Sequence, residues 1–191
     1  MKKASDILIH EHDVIERVLI ILNIVADRLE NGEEISGETF LQCVDFIRNF
    51  ADHCHHAKEE KILFRLMEER GIPVEGGPIG MMLTEHENGR AFTRGMEEAA
   101  KRFIAGDISA KDDIIANARH YSELLSNHIY KENNILYPMG DRLFTSEDQH
   151  YLEKEFERVE KEVGGLAVHE KYHRWVNELE SLFHLEKNTN N

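Results

Sequence analysis

Two segments of the sequence, HHAKEEKILF at residues 55–64 and HIYKENNILY at residues 128–137, align without a gap. They share His, Lys, Glu, Ile and Leu at matching positions, and in both a His is followed four residues later by a Glu. Side chains four residues apart leave the same face of an α-helix about one turn from each other. Because that geometry suits two ligands of one metal ion, the repeat predicts two metal-binding helices.

Helical periodicity and chain breaks place this repeat within four long helices. The predicted helices cover residues 5–30, 38–70, 78–105 and 109–136. Ser5 is the expected N-cap of the first helix, and Pro138 is expected to end or kink the fourth. Short connections between long helices favour antiparallel neighbours. We therefore expect an all-α, up-down-up-down four-helix bundle formed by residues 1–143.

The remaining residues, 144–191, predict additional C-terminal helices. Thr145 or Ser146 is a suitable N-cap, with Asp148 and Gln149 offering the reciprocal half of a capping box. Gly164-Gly165 interrupts this helix, and a further helical piece is predicted at about 167–185. We expect this helical extension to pack on the bundle.

Composition restricts the compartment and the classes of partner. The chain of 191 residues carries a formal net charge of −14, which argues against a nucleic acid or an anionic membrane as partner. Its most apolar stretch, residues 18–26, is too short to span a bilayer, and no signal peptide is recognisable. Cys43 and Cys54 lie roughly 16 Å apart on one predicted helix, too far for a disulfide. We expect a cytoplasmic protein.

The histidines are distributed over all four predicted helices of the bundle. The candidates are His10, His12, His53, His55, His56, His86, His120 and His128, with Glu59, Glu60 and Glu132 as carboxylates. Four inward-facing imidazoles and two carboxylates would supply six ligands around the bundle axis. Such a set suits iron, manganese or zinc, and two bridging carboxylates suit a dinuclear site. Ferritin-like di-iron proteins instead use Glu-x-x-His, which occurs here only outside the bundle, at Glu147/His150 and Glu170/His173.

Four segments in this order resemble the helices of a hemerythrin-like (HHE cation-binding) domain. They are EHDVIERVL, HCHHAKEEKILF, MLTEHENGR and HIYKENNILYP, and the resemblance covers roughly residues 5–143. It implies a left-handed four-helix bundle around a non-haem di-iron centre, with bridging carboxylates and an exchangeable position that reacts with O2. The expected cofactor is therefore two iron ions, bridged by an oxygen atom or by carboxylates, with manganese or zinc as alternatives.

The resemblance also implies a set of ligands. They are His12, His55, Glu59, His86, His128 and Glu132. The alignment of the repeats selects His55 and Glu59 over the equally spaced His56 and Glu60. His56 and Glu60, rotated by about 100° around an α-helix, would then lie behind the ligands or at the surface.

The chain departs from the family pattern on its third helix. Arg90 stands where the second His of that helix is expected, and an arginine cannot ligate a metal because it stays protonated. We expect His169 to replace the missing ligand, with His173, Glu16 or water as alternatives. His169 and His173 belong to HEKYH, which matches a zinc-protease motif but also suits a solvated amphipathic helix. Tyr121, seven residues before His128, could hydrogen-bond a ligand or serve as ordinary core.

Three functions follow as hypotheses. The first is a di-iron protein that binds or senses O2 or a related small molecule such as peroxide or NO. The second is an enzyme of the same fold that consumes peroxide or acts in nitric-oxide reduction or iron–sulfur repair. The third is a structural protein that binds zinc.

Overall fold

A computed structural model describes residues 3–183, and these residues are almost entirely helical, with no β-strand among them. The helices are α1 (Ser5–Glu30), α2 (Gly37–Phe46), α3 (Phe64–Glu69), α4 (Pro78–Ile104), α5 (Ala110–Lys131), α6 (Tyr137–Asp141), α7 (Ser146–Glu162) and α8 (Leu166–Leu182). Two π-helical segments, Ile47–His56 and Glu59–Leu63, join α2 to α3, and a third, Glu132–Leu136, joins α5 to α6. The predicted all-α class is confirmed, whereas residues 184–191 of the predicted extension lie outside the described part of the chain.

Both glutamates of the repeated motif begin a π-helical segment. Glu59 begins the second of these segments and Glu132 begins the third. Short π-helical insertions occur mostly within α-helices at functional sites. The insertion at Glu132–Leu136 also explains why Pro138 does not end the fourth helix, which continues to Asp141. It changes the hydrogen-bond register just before the proline, which has no N–H to donate to the preceding turn.

Besides the continuation past Pro138, one helix end departs from the sequence signals, at Ser5. Thr145 and Asp148 form the predicted capping box, in which the Thr145 Oγ1 accepts from the Asp148 N–H and the Asp148 carboxylate accepts from the Thr145 N–H. The prediction of Ser5 as an N-cap is wrong, because Ala4 is the N-cap and the Ser5 hydroxyl donates to Asp141 instead. The Ala4 N–H donates to the Gln149 side chain at 2.8 Å, so α7 supplies a partner for the start of α1.

The apolar core consists of two clusters, one towards each end of the bundle. We call the cluster that contains Val14 the first and the cluster that contains Leu8 the second. Helix α1 runs from the second cluster to the first. The next long helix passes from the first cluster to the second, α4 returns to the first, and the fourth helix passes again to the second. This alternation is the up-down-up-down order of an antiparallel bundle. In each helix the candidate ligands lie near the change from one cluster to the other, so they form a buried polar layer between two apolar cores.

The C-terminal helices pack on both clusters. Helix α7 contributes Leu152, Phe156 and Val159 to the second cluster, and α8 contributes Tyr172, Val176 and Leu179 to the first. Gly164 and Gly165 between these helices both have positive φ, which glycine adopts without strain. We propose on this packing that residues 144–183 are an extension of the bundle formed by residues 3–143. No helix among residues 3–183 has the length and apolar character needed to cross a membrane.

If the extension and the bundle share one core, truncating Phe156 should destabilise the whole chain. Phe156 is fully buried, so Phe156→Ala should lower the free energy of unfolding by about 3–5 kcal/mol. Urea denaturation followed by circular dichroism measures this change. Tyr151→Ala, at an exposed aromatic on the same helix, is the control and should cost less than about 1 kcal/mol. Equal effects of the two substitutions would contradict the shared core.

Candidate metal centre

Five imidazoles from the four helices of the bundle converge on the polar layer. They belong to His12 of α1, His55 and His56 of the segment Ile47–His56, His86 of α4 and His128 of α5, and all are buried. With two buried carboxylates they form two groups, His12/His55/Glu59/Glu132 and His56/Glu59/His86/His128. Within each group the potential ligand atoms lie within 4.8 Å of one another. This is the spacing of side chains that can share one metal ion.

The two carboxylates connect the groups. Glu59 belongs to both, and its Oε2 lies 3.6 Å from His55 Nε2 and 3.5 Å from His86 Nε2. The Oε2 of Glu132 lies 3.3 Å from His12 Nε2 and 3.1 Å from His128 Nε2. Each carboxylate therefore lies between an imidazole of one group and an imidazole of the other, a position suited to bridging two metal ions.

Every one of the five imidazoles has a hydrogen-bond partner at its Nδ1. The partners are Asn133 for His12 at 2.7 Å, Glu11 for His55 at 2.9 Å, Asp52 for His56 at 2.9 Å, Glu60 for His86 at 2.7 Å and Glu85 for His128 at 2.9 Å. Because an Nδ1–H donated to an oxygen leaves Nε2 with its lone pair, these bonds select the tautomer that ligates a metal. These bonds thus fix the five rings, and the Nε2 atoms of His86 and His128 lie 3.0 Å apart.

Three of these outer carboxylates are held in turn by a cation. Lys58, which is fully buried, donates to Glu11, Arg90 donates to Glu60 at 2.6 Å, and Lys131 donates to Glu85. Burial opposes ionisation of Glu11, but hydrogen bonds from His55 and Lys58 and their charges lower its pKa to about 2. The cations therefore keep these three carboxylates ionised and fixed, whereas burial raises the pKa of the fourth, Asp52, to about 6. Arg90 therefore lies behind the candidate ligand His86, on the far side of Glu60, and not in the layer of ligands.

The donor set fits metal ions, as its unpaired atoms show. Three buried atoms of the two groups, His55 Nε2, Glu59 Oε2 and Glu132 Oε1, have no hydrogen-bond partner among the described residues. Unpaired buried polar atoms are costly and rare in folded proteins. A metal ion bound by these atoms would remove that cost.

The electrostatics of the pair of glutamates leads to the same conclusion. Burial and the neighbouring Glu132 raise the pKa of Glu59 well above its usual value. Burial opposes ionisation of Glu132 too, but the charges and hydrogen bonds of His128 and His12 lower its pKa well below the usual value. Burial lowers the pKa of His128, yet Glu132 and Glu85 raise it to about 9 overall. Without metal the layer holds protons that bound cations would displace, because ligands must be deprotonated.

The structure brings together six of the seven residues expected as ligands and separates the seventh. His12, His55, Glu59, His86, His128 and Glu132 all lie in the two groups. His169 does not, because it lies in a third group with Glu11 and Cys54, on the outer side of Glu11. Its Nε2 is 3.6 Å from Cys54 Sγ, and Glu11 separates it from His55. Of the alternatives, Glu16 is exposed and His173 is in neither group.

His56, and not His169, lies in one of the two groups of potential ligands. It was expected behind the ligands or at the surface, yet it is only 3% exposed and its ring stacks on that of His86 with centroids 3.9 Å apart. The 100° rotation between neighbours assumes an α-helix, and this segment is π-helical. Adjacent histidines at the motif, together with the missing third-helix His, were the signal available in the sequence.

The tyrosine that contacts the candidate ligands is Tyr137 and not Tyr121, the tyrosine considered from sequence. The Tyr137 hydroxyl donates to Glu59 and lies 3.5 Å from both His12 Nε2 and Glu132 Oε2. Tyr121 is buried in the first core cluster, and its hydroxyl has no partner among the described residues. Tyr137 ends the second copy of the repeat at the position of Phe64 in the first, which is the sequence difference that marks it.

A four-helix bundle with imidazole and carboxylate ligands at its centre defines a class of metal-binding bundle proteins. Sequence comparison gives the family: the model of the hemerythrin HHE cation binding domain matches residues 3–140, and the chain belongs to that family. Similar curated proteins include the uncharacterized proteins Rv1995 of Mycobacterium tuberculosis (strain ATCC 25618 / H37Rv) and Mb2018 of Mycobacterium bovis (strain ATCC BAA-935 / AF2122/97). Each is 24% identical over 135 residues, which cover 71% of this chain and 52% of the relative. The chain thus spans about half the length of these relatives.

If His56 is a ligand, its removal should weaken metal binding. His56→Ala should reduce affinity at least tenfold, since loss of even an outer partner of a ligand typically costs about 10–100-fold. Metal content after dialysis against a graded series of chelator concentrations measures this. His53→Ala, at an exposed position three residues earlier, and His169→Ala should both retain wild-type content. Loss of metal in His169→Ala with retention in His56→Ala would restore the expectation from sequence.

Proposed function

We propose that this protein is a non-haem di-iron protein that binds or senses O2 or a related small molecule, such as peroxide or NO. The observation that carries this proposal is the sharing of two carboxylates between two imidazole groups. Two ions held on common carboxylates keep a fixed separation, which suits a site where both metals act on one small molecule. Membership of the hemerythrin family supports iron as the metal. Mixed imidazole and carboxylate ligands also suit manganese or zinc, so the metal needs a direct test.

The two groups are unequal, and the difference suggests where a small molecule would bind. His12 and His55 supply two imidazoles to one group, whereas His56, His86 and His128 supply three to the other. Each group contains four residues, but Glu132 also lies 3.1 Å from His128, so the group with three imidazoles has five possible ligands. A metal bound by fewer protein ligands keeps a coordination position for an exogenous ligand. We place the exchangeable position on the side of His12 and His55. A pair of ferrous ions, one in each group, would supply the electrons for reaction with O2, peroxide or NO.

Tyr137 lies on the side of the centre with fewer imidazoles. Burial and the nearby carboxylates Glu132 and Glu59 raise the pKa of its phenol well above the usual value, so it stays protonated at neutral pH. It can therefore hold Glu59 through its proton or offer that proton to a bound small molecule. The enclosing cores exclude water from this exchange, because both the tyrosine and its partners are fully buried.

The proton of Tyr137 also supports a second candidate, an enzyme that consumes peroxide or NO. Cleavage of an O–O bond or reduction of NO requires protons, and a positioned phenol is a general acid. A protein that only binds its ligand reversibly does not need a donor that loses its proton and regains it in each cycle. The two candidates therefore differ in what removal of the hydroxyl should do.

The proposed metal and its reactivity can be tested on one preparation. The protein purified without a metal-affinity column should contain about two irons per chain. It should show visible charge-transfer bands in air that change when azide or peroxide is added. The double variant His12→Ala/His128→Ala, which removes one imidazole from each group, should lose metal and bands, whereas His10→Ala at an exposed histidine should keep both. Zinc without visible absorption would refute the di-iron proposal and favour a structural zinc protein.

Tyr137→Phe separates the two candidate functions. In a reversible binding protein the variant should still bind its ligand and consume peroxide no more slowly than the wild type. In an enzyme it should consume peroxide or NO about 10²–10⁴-fold more slowly, the usual contribution of a general acid. Anaerobic stopped-flow kinetics with equal metal content in both proteins measures the difference. Tyr121→Phe is the matched control, because its hydroxyl is also buried but lies outside both ligand groups.

A further inference from the structure

A cavity of about 990 Å³ lies outside the metal centre, between the second long helix, α4, and helix α8 with the end of α7. Five cationic side chains from three elements line it: Arg48, Lys61, Arg90, Arg94 and Lys171. Three carboxylates share its wall, those of Asp52, Glu60 and Glu162. The charged side chains that line the cavity are therefore predominantly cationic, in a chain whose formal net charge is −14. A concave site of that sign favours anions, because its walls concentrate the field.

Not all of these cations are neutralised by the protein. Arg48 pairs with Glu97 and Lys171 pairs with Asp45, so part of the charge is used within the chain. Lys61 and Arg94 have no ion-pair partner among residues 3–183 and both are exposed. Charged side chains of this kind can turn towards an anion without breaking an existing pair. The cavity thus offers two free cations beside three paired ones.

Arg90 connects the cavity to the metal centre. Its guanidinium lines the cavity and donates to Glu60 and to Glu87 at 2.6 Å each, and its Nε lies 3.5 Å from Asp52. Glu60 accepts from Nδ1 of His86, and Asp52 accepts from Nδ1 of His56. An anion on Arg90 would compete with these two carboxylates for one guanidinium. The donor strength of two candidate ligands would change with that competition, since outer partners set ligand basicity.

We propose that this cavity binds a small molecule that carries an oxyanion, a phosphate or carboxylate group, through Arg90, Arg94 and Lys61. Arginine and lysine form charge-assisted hydrogen bonds with both groups. Binding of this molecule changes the donor strength of His86 and His56 through their hydrogen bonds to Glu60 and Asp52, and so adjusts the metal centre. The adjustment, unlike the binding, rests on the proposed di-iron function.

Binding is tested by isothermal titration calorimetry of the purified protein with sodium phosphate at constant ionic strength, and with citrate in a parallel titration. Saturable binding is expected, and the tighter of the two ions identifies the oxyanion class. Lys61→Gln/Arg94→Gln should weaken it about tenfold or more, the loss expected for one charge-assisted contact. Arg65→Gln/Lys154→Gln removes the same two charges at exposed residues outside the cavity and should change affinity less than about twofold.

Three results would overturn the site: no saturation with either ion, equal weakening in the two double variants, or unchanged affinity in Lys61→Gln/Arg94→Gln. The last would mean that phosphate binds the metals directly. Adjustment of the centre has its own readout, a shift of the visible bands that half-saturates at the calorimetric dissociation constant and is absent in Arg90→Gln. Saturable binding with unshifted bands in an iron-loaded protein would refute the adjustment alone. Saturable binding in a protein that proves to hold no iron would refute the proposed function and leave the anion site standing.

Discussion

The structure depends on one constraint, that five imidazoles buried in the middle of a bundle must all present Nε2 to the same space. Buried imidazoles without partners would be costly, and imidazoles free to rotate would not form a site. Hydrogen bonds at Nδ1 satisfy both requirements at once, since each removes an unpaired donor and fixes the ring. The two apolar cores above and below hold the helices at the distance at which these bonds form.

That constraint explains much of the charge pattern. Four of the five Nδ1 partners are carboxylates, so ordering the ligands requires buried or half-buried negative charges outside the layer. Those charges need cations in turn, which accounts for a lysine as deeply buried as Lys58 and for the half-buried Arg90. Part of the net charge of −14 is therefore internal to the site, where it orients ligands. His12 differs, because its partner is the neutral amide of Asn133. The group of His12 and His55, which has fewer imidazoles, thus also contains the imidazole that is least polarised by its Nδ1 partner, that of His12.

The repeated His-x-x-x-Glu motif predicted helices and four of the residues that the structure groups at the centre, His55, Glu59, His128 and Glu132. The resemblance to the hemerythrin-like segments added His12 and His86. The motif was insufficient where the backbone departs from the α-helix. The position of His56 depends on a π-helical turn, and a rotation of 100° per residue places it on the wrong side. Pro138 was predicted to end or kink the fourth helix because the π-helical register change before it is not visible in the sequence. His169 was misplaced by a different cause: its spacing within HEKYH says nothing about where α8 packs.

The C-terminal helices complete the electrostatics of the bundle as well as its core. The family match ends at residue 140, yet the chain of contacts from His55 through Glu11 to Lys58 ends at Glu160 of α7. A fully buried ammonium needs compensating charge and hydrogen bonds, and removing one partner of such a pair typically costs about 3–5 kcal/mol. Without Glu160, Lys58 would rely on Glu11 alone, the carboxylate that must also orient His55. The extension therefore secures the candidate ligand His55 through Lys58 and Glu11, which gives a physical reason for the bundle and these helices to fold as one unit.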